Sequence, residues 1–233
     1  MRIFGVEKSL DGLLSALYIS FTEKIIPDKI IDRNIPRKSF IGITLISTDH
    51  QHAERVGKAL VGYSGQQIID KLCNCLLSDD ERALDVSFFV AYNTLLTRSE
   101  FYKRTDIEKV MQFLYIEDKI VREKNLIIKT LEFSESDGGI LYAHYSPNGN
   151  ISTLIAPYFY KKYQRLPFVL HDIKRGRIIA SNGYTMHFTD TELNYNLLNN
   201  ADQQQFDSLW KRCYREILLK EKRLNKLAPN KKR

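Results

Sequence analysis

The spacing of apolar side chains changes character along this chain and then returns to its first form. From residue 10 to residue 130, apolar residues recur three or four positions apart, which is the spacing of one helix face. Between residues 131 and 188 they alternate with polar residues or form short runs separated by Gly, Asn and Pro, as in strands joined by turns. Helical spacing returns after residue 202. We therefore predict a single α+β domain, with a helical subregion at about 8–126, a small antiparallel sheet at about 127–188 and a C-terminal helix at about 203–227.

Capping residues and apolar stripes predict five helices in the first subregion. Ser9 or Asp11 can cap the first of them, and Thr48 or Asp49 the second. The other three are predicted at residues 65–77, 83–97 and 106–130, the last of them kinked or broken near residues 117–118 and burying Val110 and Met111 among others. A short strand at residues 3–6 is expected to precede the first helix.

Turn residues divide the second subregion into strands. Residues 127–133 and 139–145 form a predicted hairpin around the segment Glu135-Ser-Asp-Gly-Gly. A short helix is predicted at residues 152–163, and three strands at 168–171, 177–181 and 185–188 form a predicted meander. Because hairpins make a sheet antiparallel, the pattern favours α+β over a doubly wound α/β fold.

Composition excludes several classes of protein. The 233 residues are 43% hydrophobic, so the chain can bury a core, but no apolar stretch approaches the roughly 18 residues that a membrane span needs. The first residues lack an apolar signal core, so we expect a cytoplasmic protein. Cys73, Cys75 and Cys213 fit neither a disulfide framework nor a metal-binding spacing. We predict no metal and no cofactor.

Charge is concentrated near the end of the chain. Residues 209–233 contain ten bases and two acids, a net charge of +8. Because the whole chain has a net charge of +7, the first 208 residues carry −1. Such asymmetry indicates a polyanionic partner, with nucleic acid first and an acidic protein or membrane surface second; a basic end that merely aids solubility is the alternative. The bases that we expect to contact nucleic acid on the C-terminal helix are Lys211, Arg212, Arg215, Lys222, Arg223 and Lys226.

Recognisable catalytic motifs are absent, since there is no glycine-rich phosphate loop, no nucleophile elbow and no His-Glu-x-x-His. The pair His50 and His52 is a poor metal site, because residues two apart on a helix do not face each other. His171 and Asp172 lie at the end of a predicted strand, where they could transfer a proton. Alternatively, Asp172 only caps the following turn.

Basic residues follow this pair and recur on the preceding helix. Lys174, Arg175 and Arg177 form a basic turn that could hold a phosphate. The segment Tyr158-Phe-Tyr-Lys-Lys-Tyr interleaves aromatic rings with lysines, as single-strand binding proteins do. Tyr158 and Phe159 are expected in the core, which leaves Lys161 and the neighbouring Tyr160 and Tyr163 as candidates for nucleic-acid contact.

A series of short motifs resembles, over nearly the full length, a bacterial family described as DNA metabolism or DNA repair proteins. The stretches that carry the resemblance are Asp11-Gly-Leu-Leu-Ser-Ala, Thr48-Asp with Ala53-Glu-Arg-Val, Val121-x-Glu123, Leu131-x-Phe133, Pro147-x-x-Asn150-Ile, Pro167-Phe-Val-Leu-x-Asp172 with Arg175, and Leu209-Trp210 through Ile217 to Arg223-x-Asn225. The resemblance implies a DNA-related accessory role beside a radical-SAM protein related to spore photoproduct lyase. In other members the domain is fused to a uracil-DNA-glycosylase.

Three functions remain open at the level of sequence. The favoured one is an accessory protein without intrinsic activity that binds DNA through its basic C-terminal helix. The second is an enzyme that processes nucleic acid, such as a nuclease or base-processing enzyme, with Asp172, His171 and Arg175 in its site and Glu123 in support. The third is a protein-interaction module whose basic face docks on an acidic partner.

Overall fold

The computed structural model describes residues 2–35, 42–135 and 139–190. These residues contain six α-helices and two small sheets. They group into two compact units, the first formed by Met1–Glu123 with Asn148–Asn150, and the second by Lys124–Pro147 with the described chain from Ile151 onward. The boundary lies close to the predicted change from helical to strand spacing. The prediction of one domain stays a prediction.

The first unit contains a parallel sheet that the sequence analysis did not foresee. Strands β1 (Ile3–Val6), β2 (Lys29–Asp32) and β3 (Ile43–Leu45) pair in the order β2-β1-β3. Both pairings are parallel. Helix α1 (Leu10–Glu23) connects β1 to β2, as parallel neighbours require a crossover. The prediction of the strand at residues 3–6 is confirmed, but the prediction of a purely helical first half is wrong.

Five of the six helices begin in this unit, and most have the predicted bounds. They are α1, α2 (His50–Ser64), α3 (Gln66–Leu76), α4 (Ala83–Thr97) and α5 (Glu108–Thr130), with a short 3-10 helix at Phe101–Lys103 between the last two. The side chain of Ser9 accepts the Gly12 amide at the start of α1, and that of Asp49 accepts the His52 amide at the start of α2. The two predicted caps are confirmed.

Helix α5 differs from its prediction in two respects. It is continuous through residues 117–118, because the nearly buried Glu117 carboxylate accepts hydrogen bonds from Lys71 Nζ at 3.1 Å and Asn74 Nδ2 at 3.0 Å. A polar pair therefore lies within the helix without breaking it. Val110 is buried as expected, but Met111, which was also expected in the core, is exposed, and Phe113 is buried in addition.

The second unit contains a five-stranded mixed sheet. Its strands are β4 (Ser134–Glu135), β5 (Leu141–Tyr145), β6 (Phe168–Asp172), β7 (Arg177–Ser181) and β8 (Met186–Asp190), which pair in sequence order. The meander of β6, β7 and β8 confirms the predicted antiparallel strands. However, β5 and β6 are parallel, because helix α6 (Ser152–Lys162) forms a crossover between them. The predicted fully antiparallel sheet is wrong at this pairing.

The predicted hairpin is shorter than expected. Helix α5 continues to Thr130, so residues 127–130 are helical and β4 contains two residues. The antiparallel pairing of β4 with β5 retains the hairpin in reduced form. The predicted C-terminal helix at about 203–227 lies outside the described residues. Among the described residues, no helix combines the length and the apolar character that crossing a bilayer requires.

One glycine in α1 is required by a close backbone approach. A Cβ atom at Gly12 would overlap the carbonyl oxygen of Glu7. By contrast, a Cβ at Gly62 in α2 would meet no atom within 4 Å. The glycine of the Asp11-Gly motif therefore has a steric cause.

We expect Gly12→Ala to lower the free energy of unfolding by about 2 kcal/mol, because backbone atoms must move apart to admit the methyl group. Gly62→Ala is the matched control and should raise stability by about 0.5–1 kcal/mol, since alanine is the better helix former. Urea unfolding followed by circular dichroism measures both. A neutral Gly12→Ala would contradict the steric explanation.

Candidate functional site

The end of β6 brings together several predicted site residues of the second unit. Because β5 and β6 are parallel, Tyr145 and Asp172 lie side by side at the carboxyl ends of their strands. Asp172 is fully buried. Its Oδ1 accepts the backbone amide of Arg175, and its Oδ2 accepts Arg175 Nη1, each at 3.2 Å. Asp172 thus caps the turn that follows β6 and forms an ion pair with the predicted phosphate-binding arginine.

Two hydroxyl groups complete this cluster. Tyr145 donates to Ser152 Oγ at 2.8 Å, and Ser152 Oγ lies 3.5 Å from Asp172 Oδ2. Burial raises the pKa of Tyr145, which keeps its hydroxyl neutral and able to donate. Arg175 Nη1 also donates to the carbonyl oxygen of Pro147 at 3.2 Å. The cluster therefore joins the ends of β5 and β6, the start of α6 and the loop that contains Pro147.

This geometry favours a structural role over proton transfer. A buried carboxylate that accepts hydrogen bonds from a guanidinium is fixed in position by them, and removing one partner of such a pair is strongly destabilising. The Asp172 side chain of this pair is fully buried, and that of Arg175 is 17% exposed. A substrate would have to displace Arg175 to reach Asp172.

His171 lies on the opposite face of β6 from Asp172, because successive side chains of a strand alternate. It is 1% exposed, and its Nδ1 is 3.0 Å from the hydroxyl of Tyr142. Burial, with a smaller contribution from the neighbouring His144, lowers the pKa of His171 to about 4, although Asp172 acts in the opposite direction. The imidazole is therefore neutral at pH 7. His171 and Asp172 are adjacent in sequence but do not form a catalytic pair.

Glu123 belongs to the first unit and also binds backbone. Its Oε1 accepts the amide of Asn148 at 2.7 Å and its side-chain amide at 3.0 Å, and its Oε2 accepts the amide of Gly149 at 2.9 Å. A carboxylate used in this way fixes a loop. These contacts account for the acid two positions after Val121 in the motif, and they require no catalytic role for it.

The predicted basic residues differ in their surroundings. Lys161 is exposed on the last turn of α6, and Lys174 is exposed in the turn after β6. Arg175 is held by Asp172, and Arg177 is partly buried on β7 beside Asp172. The other six predicted contacts lie outside the described residues: Lys211, Arg212, Arg215, Lys222, Arg223 and Lys226.

The aromatic segment on α6 is arranged differently from its prediction. Tyr158 is 43% exposed rather than buried. Phe159 is fully buried, as expected, and Tyr163 packs against it and against Phe133 and Phe168. The hydroxyl of Tyr160 donates to the carbonyl oxygen of Tyr184 at 2.6 Å. The expectation that Tyr158 lies in the core is wrong, because the helix turns Phe159 and Tyr163 inward instead.

The carboxyl edge of the parallel sheet in the first unit forms a polar cluster that the sequence analysis missed. The strand order places the switch point between β1 and β3, the usual position of a ligand crevice in parallel sheets. There Glu7 accepts a hydrogen bond from Thr48 at 3.0 Å and pairs with Arg33 at 3.5 Å. His50 Nδ1 lies 2.6 Å from Asp11 Oδ2. These contacts connect the segments that follow β1, β2 and β3, and they connect the first turn of α1 to that of α2.

The histidines at this edge each have a partner. His50 contacts Asp11, whereas the ring of His52 stacks on Tyr18 with centroids 3.7 Å apart. In the part of the chain that the structure describes, no three His, Cys, Asp or Glu side chains are grouped so that they could hold a metal ion.

A groove on the first unit was also missed. It lies where α1, α2 and α4 meet, has a volume of about 530 Å³ and is lined by nine residues, Tyr18, Phe21, Thr22, Arg55, Val56, Ala59, Tyr63, Leu95 and Arg98. The lining residues come from three helices, and in the sequence each of them is typical of one face of its own helix. Only the packing of the three helices brings the rings and the arginines together.

Comparison with known families assigns the chain. Residues 86–231, more than half of the chain, match the model of a domain of unknown function named DUF4130. The chain belongs to the DUF4130 family. The DUF4130 match begins within α4 and includes Glu123, His171, Asp172 and Arg175, whereas the parallel sheet and helices α1 to α3 precede it. A search of curated proteins finds no match.

The buried His171 predicts a specific pH dependence of stability in this DUF4130 member. Its pKa is about 4 in the folded chain and about 6.5 when unfolded, so the unfolded chain binds more protons between these values. Stability should be fully present above pH 6.5 and fall by up to about 3 kcal/mol as the pH drops to 4.

Urea unfolding at pH 7 and at pH 4.5 tests this effect. We expect His171→Gln to reduce the difference between the two pH values, and His50→Gln, which alters an exposed histidine, to retain it. An unchanged pH dependence in His171→Gln would contradict the assignment of a neutral buried imidazole.

Proposed function

We propose that this DUF4130 protein is a DNA-metabolism accessory protein that binds the nucleic-acid backbone through its C-terminal bases. The observation that carries the proposal is the charge distribution. Residues 209–233 hold ten bases and two acids, and the remaining 208 residues have a net charge of −1. A concentrated positive charge attracts phosphates through counterion release without requiring a shaped pocket.

The ion pairs of the described residues support this proposal. Five exposed cations of the first unit lie beside carboxylates, in the pairs Lys58–Glu54, Arg82–Asp80, Lys103–Glu100, Arg104–Asp106 and Arg122–Asp118. Such pairs contribute little to stability, but each acid offsets the positive field of its base. Two acids cannot offset ten bases in this way.

The surroundings of Asp172 favour binding over processing of nucleic acid. Arg175 occupies the carboxylate, and His171 faces the other side of the strand and is neutral at pH 7. A nuclease or base-processing enzyme would need an accessible acid or base at this position. The accessory role is therefore better supported than the enzymatic alternative with Asp172, His171 and Glu123.

The finer part of the proposal rests on the sequence resemblance. The resemblance to proteins described as DNA repair proteins suggests that the chain works beside a radical-SAM partner, to which it presents DNA. The third possibility, a module that docks on an acidic protein, uses the same positive charge and is distinguished by the experiment below.

We expect neutralising five C-terminal bases, Lys211, Arg212, Arg215, Lys222 and Arg223, to glutamine to weaken DNA binding at least tenfold. The reason is that each phosphate contact contributes to counterion release. The measurement is fluorescence anisotropy with a labelled DNA duplex and the matching single strand at constant salt.

The matched control changes five ion-paired bases of the first unit to glutamine, Lys58, Arg82, Lys103, Arg104 and Arg122, and removes the same formal charge. Its affinity should change less than threefold. Equal losses of DNA affinity in both variants would show that binding depends on the net charge of the chain and not on the C-terminal bases. A wild-type protein that binds an acidic protein but no DNA would favour the interaction module.

A further inference from the structure

The groove between α1, α2 and α4 combines aromatic rings with cations and contains no acid. Tyr63 and Phe21 are each 39% exposed there, and Arg55 and Arg98 are exposed at its rim. Its volume of about 530 Å³ lies within the range of small-molecule sites. The arrangement suits a ligand that has one flat aromatic part and one negative part.

The two arginines of the groove have no carboxylate partner in the described part of the chain, as is also true of Lys24, Lys29 and Lys119. Among the described residues, neither Arg55 nor Arg98 forms an ion pair with a carboxylate, whereas neighbouring Lys58 pairs with Glu54 at 2.6 Å. The guanidinium of Arg98 lies 5.8 Å from the centre of the Tyr63 ring. A base that stacks on this ring would thus bring its phosphate near a cation.

Two residues of the groove, Arg98 and Phe21, also have a structural role that does not require a ligand. Arg98 ends α4 in a left-handed conformation (φ 51°), where its positive charge suits the helix dipole. Phe21 stacks on Tyr92 with centroids 4.8 Å apart, so one of its faces is occupied. The helix dipole does not account for Arg55, which lies near the start of α2 and faces the same groove. The charge complementarity of the whole groove points to an anionic aromatic ligand.

We infer that this groove binds one unstacked nucleotide, with its base against Tyr63 and its phosphate between Arg55 and Arg98. The inference concerns a surface other than the C-terminal bases and goes beyond the proposed function. The nucleotide can come from a single strand or from free solution, and both present the same base and phosphate. Paired bases of a duplex are stacked on each other and do not offer a free face.

The test uses the full chain and two probes, a labelled 12-mer of thymidylate for the strand and thymidine monophosphate for the free nucleotide. We expect Arg55→Gln combined with Arg98→Asn to weaken strand binding at least fivefold. Asparagine tolerates the left-handed conformation at residue 98, so this change should preserve the fold. Tyr63→Leu should weaken binding by a similar factor, whereas Tyr63→Phe retains the ring and should bind normally.

The matched control is Arg122→Gln, which removes an exposed cation that is ion-paired with Asp118 and lies outside the groove. Affinity for a DNA duplex, measured beside the strand, should be the same in all these variants. Thymidine monophosphate binding that is lost in the same groove variants supports the site even when the chain does not bind DNA, and so separates this inference from the proposed function.

Three outcomes would overturn the inference. The first is unchanged strand and nucleotide binding in both the double arginine variant and Tyr63→Leu. The second is an equal loss in Tyr63→Phe, which would show that the hydroxyl rather than the ring is required. The third is binding of polyglutamate that matches the strand and is lost in the same variants, which would assign the groove to an acidic peptide.

Discussion

Ion pairing divides the cations of the first unit, among the residues that the structure describes, into two groups. Most exposed bases of the first unit that lie near a carboxylate pair with it, as Arg122 does with Asp118. Arg55 and Arg98 do not, and the bases after residue 209 outnumber the acids there five to one. A cation without a carboxylate partner can release counterions when a phosphate approaches. Both proposals depend on this difference, although they concern different parts of the chain.

The carboxylates that attract attention in the sequence have structural partners. Asp172 holds the turn after β6 through Arg175, Glu123 accepts the backbone amides of residues 148 and 149, and Glu117 binds Lys71 and Asn74. An acid whose oxygens already accept several hydrogen bonds is a poor general base. Within the described residues, these conspicuous acids therefore stabilise loops and helix contacts.

Local signals in the sequence predicted the helices well. The caps Ser9 and Asp49 and the bounds of α4 are confirmed, because side-chain capping and a 3.6-residue period are properties of neighbouring residues. The parallel sheet was missed since its strands have three or four residues and pair across helices. The parallel pairing of β5 with β6 was missed because helix α6 forms the crossover between these two strands. Likewise, the groove depends on the packing of three helices, and the side-chain partners of Asp172 appear only when β5 and β6 align.

The most direct test is the salt dependence of DNA affinity for the unmodified chain. Between 50 and 300 mM sodium chloride, the logarithm of the association constant should fall linearly with the logarithm of salt, with a slope of about −0.9 for each phosphate contacted. A slope of roughly −3 or steeper, similar for DNA of different sequences, is the predicted result. A flat response, or no affinity at 50 mM salt, would contradict the proposal that the C-terminal bases bind phosphates.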